Sequence, residues 1–233
     1  MALHAKQMQR GVANTAAVGG NTLNRQLYID ALSKVDSLAA FAAYIPAEDK
    51  LQKEKVLTTN VISSLHQQVQ LALLAFKAGV SVSADLFERG FDTHAKHDTD
   101  YPLLLGNATD AIDYLWTYAE ELGLANRLLL VIGTDFGRTP YFNASNGKDH
   151  WPIGSTVVME KNAAFGNRVA GLTDEGHNAL KLDTTTLKED KVNGVLIRPA
   201  HVHKALRQYL GLENADITRN FAFSTTESFK FFG

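Results

Sequence analysis

No cysteine occurs in the chain. Its absence excludes disulfides, thiolate metal sites and a cysteine nucleophile, and it leaves the redox compartment open. An excess of positive charge is missing as well: 23 Lys and Arg stand against 25 Asp and Glu, a formal net charge of −2. Without a broad basic field, binding of nucleic acid through phosphate neutralisation is not expected. No apolar run approaches the roughly 18 to 20 residues that span a bilayer. The opening residues, MALHAKQMQRGVANTAAVGG, hold neither an apolar core of signal-peptide length nor paired arginines. The chain as written reads as soluble, a reading that a mature or truncated exported protein would share.

The 233 residues are 45% hydrophobic and 21% charged, an ordinary globular balance in a length that suits one domain with a substantial core. Residues 1–22, rich in Gly, Ala, Asn and Thr towards their end, read as a loose leader to a single α/β domain over 23–233. Within it, 23–79 is expected to be helical and 80–233 to form a sheet core with loops. Leu27, Ile29, Leu32, Val35 and Leu38 recur at helical spacing over residues 23–44. Pro46 suits the first turn of a second, longer helix to about residue 78, which Gly79 stops. Residues 80–87 alternate like a strand, and 98–122 reads as a third helix ended by Gly123.

Arg127 to Gly133 is a continuous apolar run of the kind buried on both faces of a parallel sheet. Strand, helix and strand in this order predict a right-handed crossover unit. Shorter strands are expected in STVVMEK and NRVAGL, and a closing helix over 199–210 ends at Gly211. The aromatic tail FAFSTTESFKFFG is expected to pack back on the body.

Polar clusters follow the predicted strands, where loops of an α/β sheet offer side chains to ligands. Asp92 and His94 point the same way on an extended segment, and carboxylate with imidazole suits Zn²⁺, Mn²⁺ or Fe²⁺; alternatively Asp92 caps a turn and His94 is a surface residue. Asp135 precedes Gly137 and Arg138. That guanidinium suits a phosphate or sulfate, or else an ion pair with Asp135 that braces the turn. His150 is a candidate ligand that Asp149 would orient, or a solvated loop residue.

His201 and His203, two apart on a helix, suit capping and surface roles, and His97 is a weaker candidate or only extends the loop after His94. His4, His66 and His177 lack supporting context. Thr22, ahead of a helix, is either an N-cap or a hydroxyl nucleophile.

Taken in order, Phe91-Asp92-Thr93-His94, Thr134-Asp135-Phe136-Gly137-Arg138-Thr139-Pro140 and Lys148-Asp149-His150-Trp151-Pro152 resemble the bacterial domain-of-unknown-function family 1501. Members of that family read W-D-T-H, S-E-F-G-R-T-P and G-R-D-H-W. The resemblance covers residues 85–212, including a closing P-x6-L-R-x-Y-L-G segment, and it suggests the C-terminal part of a longer relative. The family itself resembles a branch of the alkaline phosphatase and sulfatase superfamily.

This resemblance implies a mostly parallel sheet flanked by helices, N-terminally abbreviated here, and a periplasmic hydrolase of small phosphate or sulfate esters. It further implies two divalent cations, zinc, manganese or similar, about 4 Å apart. One would take Asp92, His94 and His150; the other would take Asp135 with groups from an upstream strand and a nucleophilic Ser or Thr. Arg138 would act in catalysis by binding the oxyanion.

Three residues depart from the pattern: Phe136 stands where the phosphatases carry a histidine ligand, Lys148 replaces an arginine, and Asp135 replaces a longer Glu. No apolar strand in residues 1–22 supplies the nucleophile. The alternative is therefore a non-catalytic envelope interaction or scaffold module that retains the fold. A third option is a helical assembly module, built on the long helices before Gly79.

Overall fold

A computed structural model describes residues 41–53, 64–225 and 227–233. The expected leader, the candidate Thr22 and most of the first predicted helix lie outside these residues. Two compact units are present. One comprises the described residues up to Asp92 together with Asp98–Ala125, and the other comprises Thr93–His97 and the described residues from Asn126 onward.

Helices dominate the described residues of the first unit. Helix α1 spans Leu65–Lys77 and helix α2 spans His97–Glu121, with His97 itself counted in the second unit. Ser64 starts α1 by accepting the Gln67 N–H on its hydroxyl at 3.2 Å, an N-cap. The helix buries Val69, Leu73 and Leu74, and α2 buries Leu104, Ala111, Leu115 and Ala119 at matching helical intervals. The buried Gln70 amide is satisfied by the Gln52 N–H and the Lys50 carbonyl.

Both helices end as their glycines suggest. Gly79 and Gly123, each at φ 71°, donate to Phe76 O and Glu120 O, while Val80 and Leu124 reach back to Ala75 O and Ala119 O. This is the left-handed Schellman stop.

Two expectations for this unit need correction. Pro46 does not open a long helix: Glu48–Lys50 is a single 3₁₀ turn, Leu51 is extended, and regular helix begins afresh after the Ser64 cap. Residues 80–87 form no strand. The Phe87 backbone pairs with a side chain instead, its N–H and carbonyl both bonded to the Gln68 amide, and Val82 is 98% exposed.

The second unit carries the strands: β1 (Leu129–Gly133), β2 (Gly137–Arg138), β3 (His150–Trp151) and β4 (Thr156–Glu160). β1 pairs with β4, Val131 opposite Val158, and β2 pairs with β3; both pairs are antiparallel. The chain is thus mixed α/β with small antiparallel sheets among its described residues. The apolar run of β1 is not covered on both faces, since Val131 is 42% exposed, and without a strand at 80–87 no crossover unit forms there. STVVMEK does become β4. NRVAGL does not become a strand, and Val169 in it is exposed.

Beyond β4, Leu182 is fully buried and exchanges backbone hydrogen bonds with Val195. The following turn rests on Asp183, whose carboxylate accepts the Thr185 and Thr186 N–H groups. These bonds, that of Thr186 first, hold its pKa below the usual carboxylate value. A carboxyl with a depressed folded pKa adds stability above the unfolded value near 3.9 and loses it as pH falls through the folded one. Asp183→Asn is therefore expected to flatten the acid limb of stability, read as the unfolding midpoint between about pH 6 and pH 2. An unchanged acid limb would contradict the assignment.

Helix α3 (Pro199–Tyr209) begins with proline at its first position and ends at Gly211 in the same left-handed stop; the short α4 spans Asp216–Asn220. The aromatic tail does pack back. Phe229 is buried with its ring 5.0 Å from that of His201, Phe232 meets Phe165 at 5.0 Å, and Lys230 N–H donates to Thr184 O.

Candidate metal centre

The second unit draws two motif loops together. Lys148 N–H donates to Thr93 O, His97 N–H donates to Asn146 O, and Ala95 and Asn146 form a β-bridge. Gly147 is required by this approach, because a Cβ on it would lie 1.9 Å from the His94 carbonyl carbon. The β2–β3 pairing sets Arg138 opposite His150 and Gly137 opposite Trp151. Thr139 completes the brace by donating its N–H to Asp149 O and accepting the Asp149 N–H on its hydroxyl.

Thr93 points inward, only 3% exposed, with its hydroxyl 2.7 Å from His97 Nδ1. His97 therefore anchors the loop as well as extending it. Asp92, directly before Thr93, and His94 flank this anchored residue.

Asp92, His94 and His150 each offer one ligand atom, all within 4.8 Å of one another. The Nε2 atoms of His94 and His150 lie 3.0 Å apart. Two imidazoles on one metal at bond lengths of about 2.0–2.1 Å bring their nitrogens roughly 3 to 3.4 Å apart, so the histidine pair has the spacing of two ligands on one transition-metal ion. His94 Nδ1 is 2.8 Å from Asp149 Oδ1. With Nδ1–H donating to that carboxylate, the Nε2 lone pair turns towards His150, a proton position inferred from the hydrogen-bond network. Asp149 is held below the usual carboxylate range, first by the Asn143 side-chain amide and then by His94.

Asp149 thus orients His94, not His150 as its sequence neighbourhood suggests. His150 is instead steadied by Phe136, whose ring stacks on it at 3.8 Å. Arg138 donates from Nη1 to Lys148 O at 3.0 Å, and its guanidinium lies 5.4 Å from the Phe136 ring. Asp135 is exposed and stands outside the triad. Lys148 places its ammonium 5.0 Å from the Phe142 ring.

Other histidines divide. His203 is exposed, as expected. His201 does cap α3 by accepting the Arg198 N–H, but it is only 3% exposed because the aromatic tail covers it. His66, without context in the sequence, is buried in the first unit with Nε2 3.0 Å from Asp110 Oδ2.

Sequence reading missed Asn143. Its amide donates to Asp149 Oδ1 and to His94 O, and its carbonyl accepts the Ser145 and Gly147 N–H groups. Its place in an Asn-Ala-Ser-Asn-Gly turn is the available signal, since Asn side chains close such turns on their own backbone.

These features define a mixed α/β chain whose motif loops carry a two-histidine, one-carboxylate cluster. Residues 7–202 match the family described as "Protein of unknown function (DUF1501)", well over half of the chain, and the chain belongs to that family. The match begins far upstream of residue 85, so it takes in the helical region as well as the motif loops. No curated protein and no solved structure matches. No helix among the described residues is long and apolar enough to cross a membrane.

Proposed function

We propose that the chain is a metal-dependent hydrolase of small phosphate or sulfate esters, built on a relative of the alkaline-phosphatase fold. The observation that carries this reading is the convergence of Asp92, His94 and His150, with Asp149 bonded to the far nitrogen of His94. A ligand histidine backed by a carboxylate is the usual second layer of a metal site.

A divalent ion held there would supply Lewis-acid polarisation of an ester oxygen. Arg138, in the strand paired with His150, would bind the anionic oxygens of the substrate, and Asp135 would contribute to a second cation site. Purified protein loaded with Zn²⁺ or Mn²⁺ is expected to cleave an aryl phosphate or an aryl sulfate, and Arg138→Ala to reduce that cleavage. Metal-loaded protein inert towards both ester classes would sink the hydrolase reading.

Phe136 favours a second reading. It stacks on His150 where the superfamily resemblance calls for a ligand, so the triad would bind metal in a non-catalytic envelope module. Metal binding without ester cleavage is the outcome that reading expects.

Under either reading Asp149 supports the affinity. Asp149→Asn is expected to weaken metal binding about 10- to 100-fold, the usual cost of losing such a partner. Competition against a chromophoric chelator measures it, and unchanged affinity would remove Asp149 from the site.

A further inference from the structure

We propose that Asn143 is a positioning residue for the metal centre: through Asp149 it sets which nitrogen of His94 presents its lone pair beside His150. The proposal rests on the metal-binding reading above for its consequence, but not for its geometry.

A carboxamide has two N–H donors and two acceptor lone pairs, and Asn143 uses all four within the motif loops. Its Nδ2 donates to Asp149 Oδ1 at 2.9 Å and to His94 O at 3.0 Å. Its Oδ1 accepts from Ser145 N at 2.9 Å and from Gly147 N at 3.0 Å. Exchanging the amide's nitrogen and oxygen would aim N–H at N–H and oxygen at oxygen in all four contacts, so the network fixes the orientation.

One residue thereby ties the His94 backbone, the Gly147 turn and the Asp149 carboxylate together. Asp149 Oδ1 receives Asn143 and His94 at once, at 2.9 and 2.8 Å. Asn143 therefore holds the carboxylate where it accepts the His94 Nδ1–H. Released from Asn143, Asp149 loses the bond that fixes its Oδ1 beside His94 Nδ1, and the preference for a proton on that nitrogen weakens.

Asn143→Asp separates this role from a merely structural one. The variant keeps both acceptors for Ser145 and Gly147, hence the turn, but it loses both donors and sets a carboxylate against Asp149. In the metal-free full chain, ¹⁵N NMR of the neutral His94 ring is expected to report Nδ1–H in the wild type. In Asn143→Asp it is expected to report a shift towards Nε2–H, at temperatures well below the variant's own thermal midpoint. Zn²⁺ affinity is expected to fall about 10- to 100-fold, as for loss of the carboxylate partner itself.

An unaltered tautomer with unaltered affinity would overturn the proposal. So would losses that occur only in step with unfolding; should Asn143→Asp fail to fold, Asn143→Ser is read in the same way. If the wild type binds no Zn²⁺, the metal reading fails, and the tautomer measurement still decides the role of Asn143.

Discussion

Replacing His94 or His150 by alanine is expected to weaken binding of a divalent transition metal by more than about 100-fold, since loss of an indirect partner alone costs about 10- to 100-fold. Each histidine supplies a nitrogen to the cluster, and the two Nε2 atoms stand 3.0 Å apart, so removing either leaves a single imidazole beside Asp92. Both side chains are exposed, so losing the Asp149 bond of His94 or the Phe136 stack of His150 should lower stability only modestly. The metal-free variants should therefore stay folded, while the stabilisation that added metal gives the wild type disappears. Retained affinity in both variants would place the metal elsewhere.

The second large effect is expected at Gly147. A Cβ there would meet the His94 carbonyl carbon at 1.9 Å, its oxygen at 2.0 Å and Ala95 N at 2.3 Å. All three are backbone atoms, so no rotamer change relieves the clash. Gly147→Ala should destabilise by about 1–3 kcal/mol or more, as overpacking does, and should displace His94 so that metal affinity falls with it. Gly106, inside α2 with open space around its Cα, is the internal contrast. There alanine removes only the entropy cost of glycine in a helix and should stabilise by about 0.5–1 kcal/mol. Chemical denaturation of the two variants beside the wild type measures both signs. Equal effects would mean that the loop approach at Gly147 is not tight.

The features that could be read from the sequence are those set by local chemistry. Gly79, Gly123 and Gly211 mark helix ends because only glycine takes the left-handed stop without strain. Asp92 and His94 fall on one side of their segment because side chains alternate, whereas His150 reaches them only through the loop approach at Thr93–Lys148 and Ala95–Asn146. What stayed hidden depends on partners distant in the chain. Residues 80–87 have the alternation of a strand, but the Gln68 amide takes the Phe87 backbone bonds, and nothing in the octet records that choice. The run in β1 looks alike whether it lies between parallel neighbours or beside β4. Asp149 stands next to His150 in sequence yet bonds His94, 55 residues away, a preference set by Asn143 and the Gly147 turn rather than by adjacency.

Metal titration of the purified full chain, by calorimetry or equilibrium dialysis with elemental analysis, tests the central claim most directly. At least one Zn²⁺ or Mn²⁺ per chain is predicted to bind with a dissociation constant below about 1 µM, near 8 kcal/mol, and to be lost in His94→Ala and His150→Ala. No binding in that range, or binding that both variants retain, would contradict a metal centre at Asp92, His94 and His150.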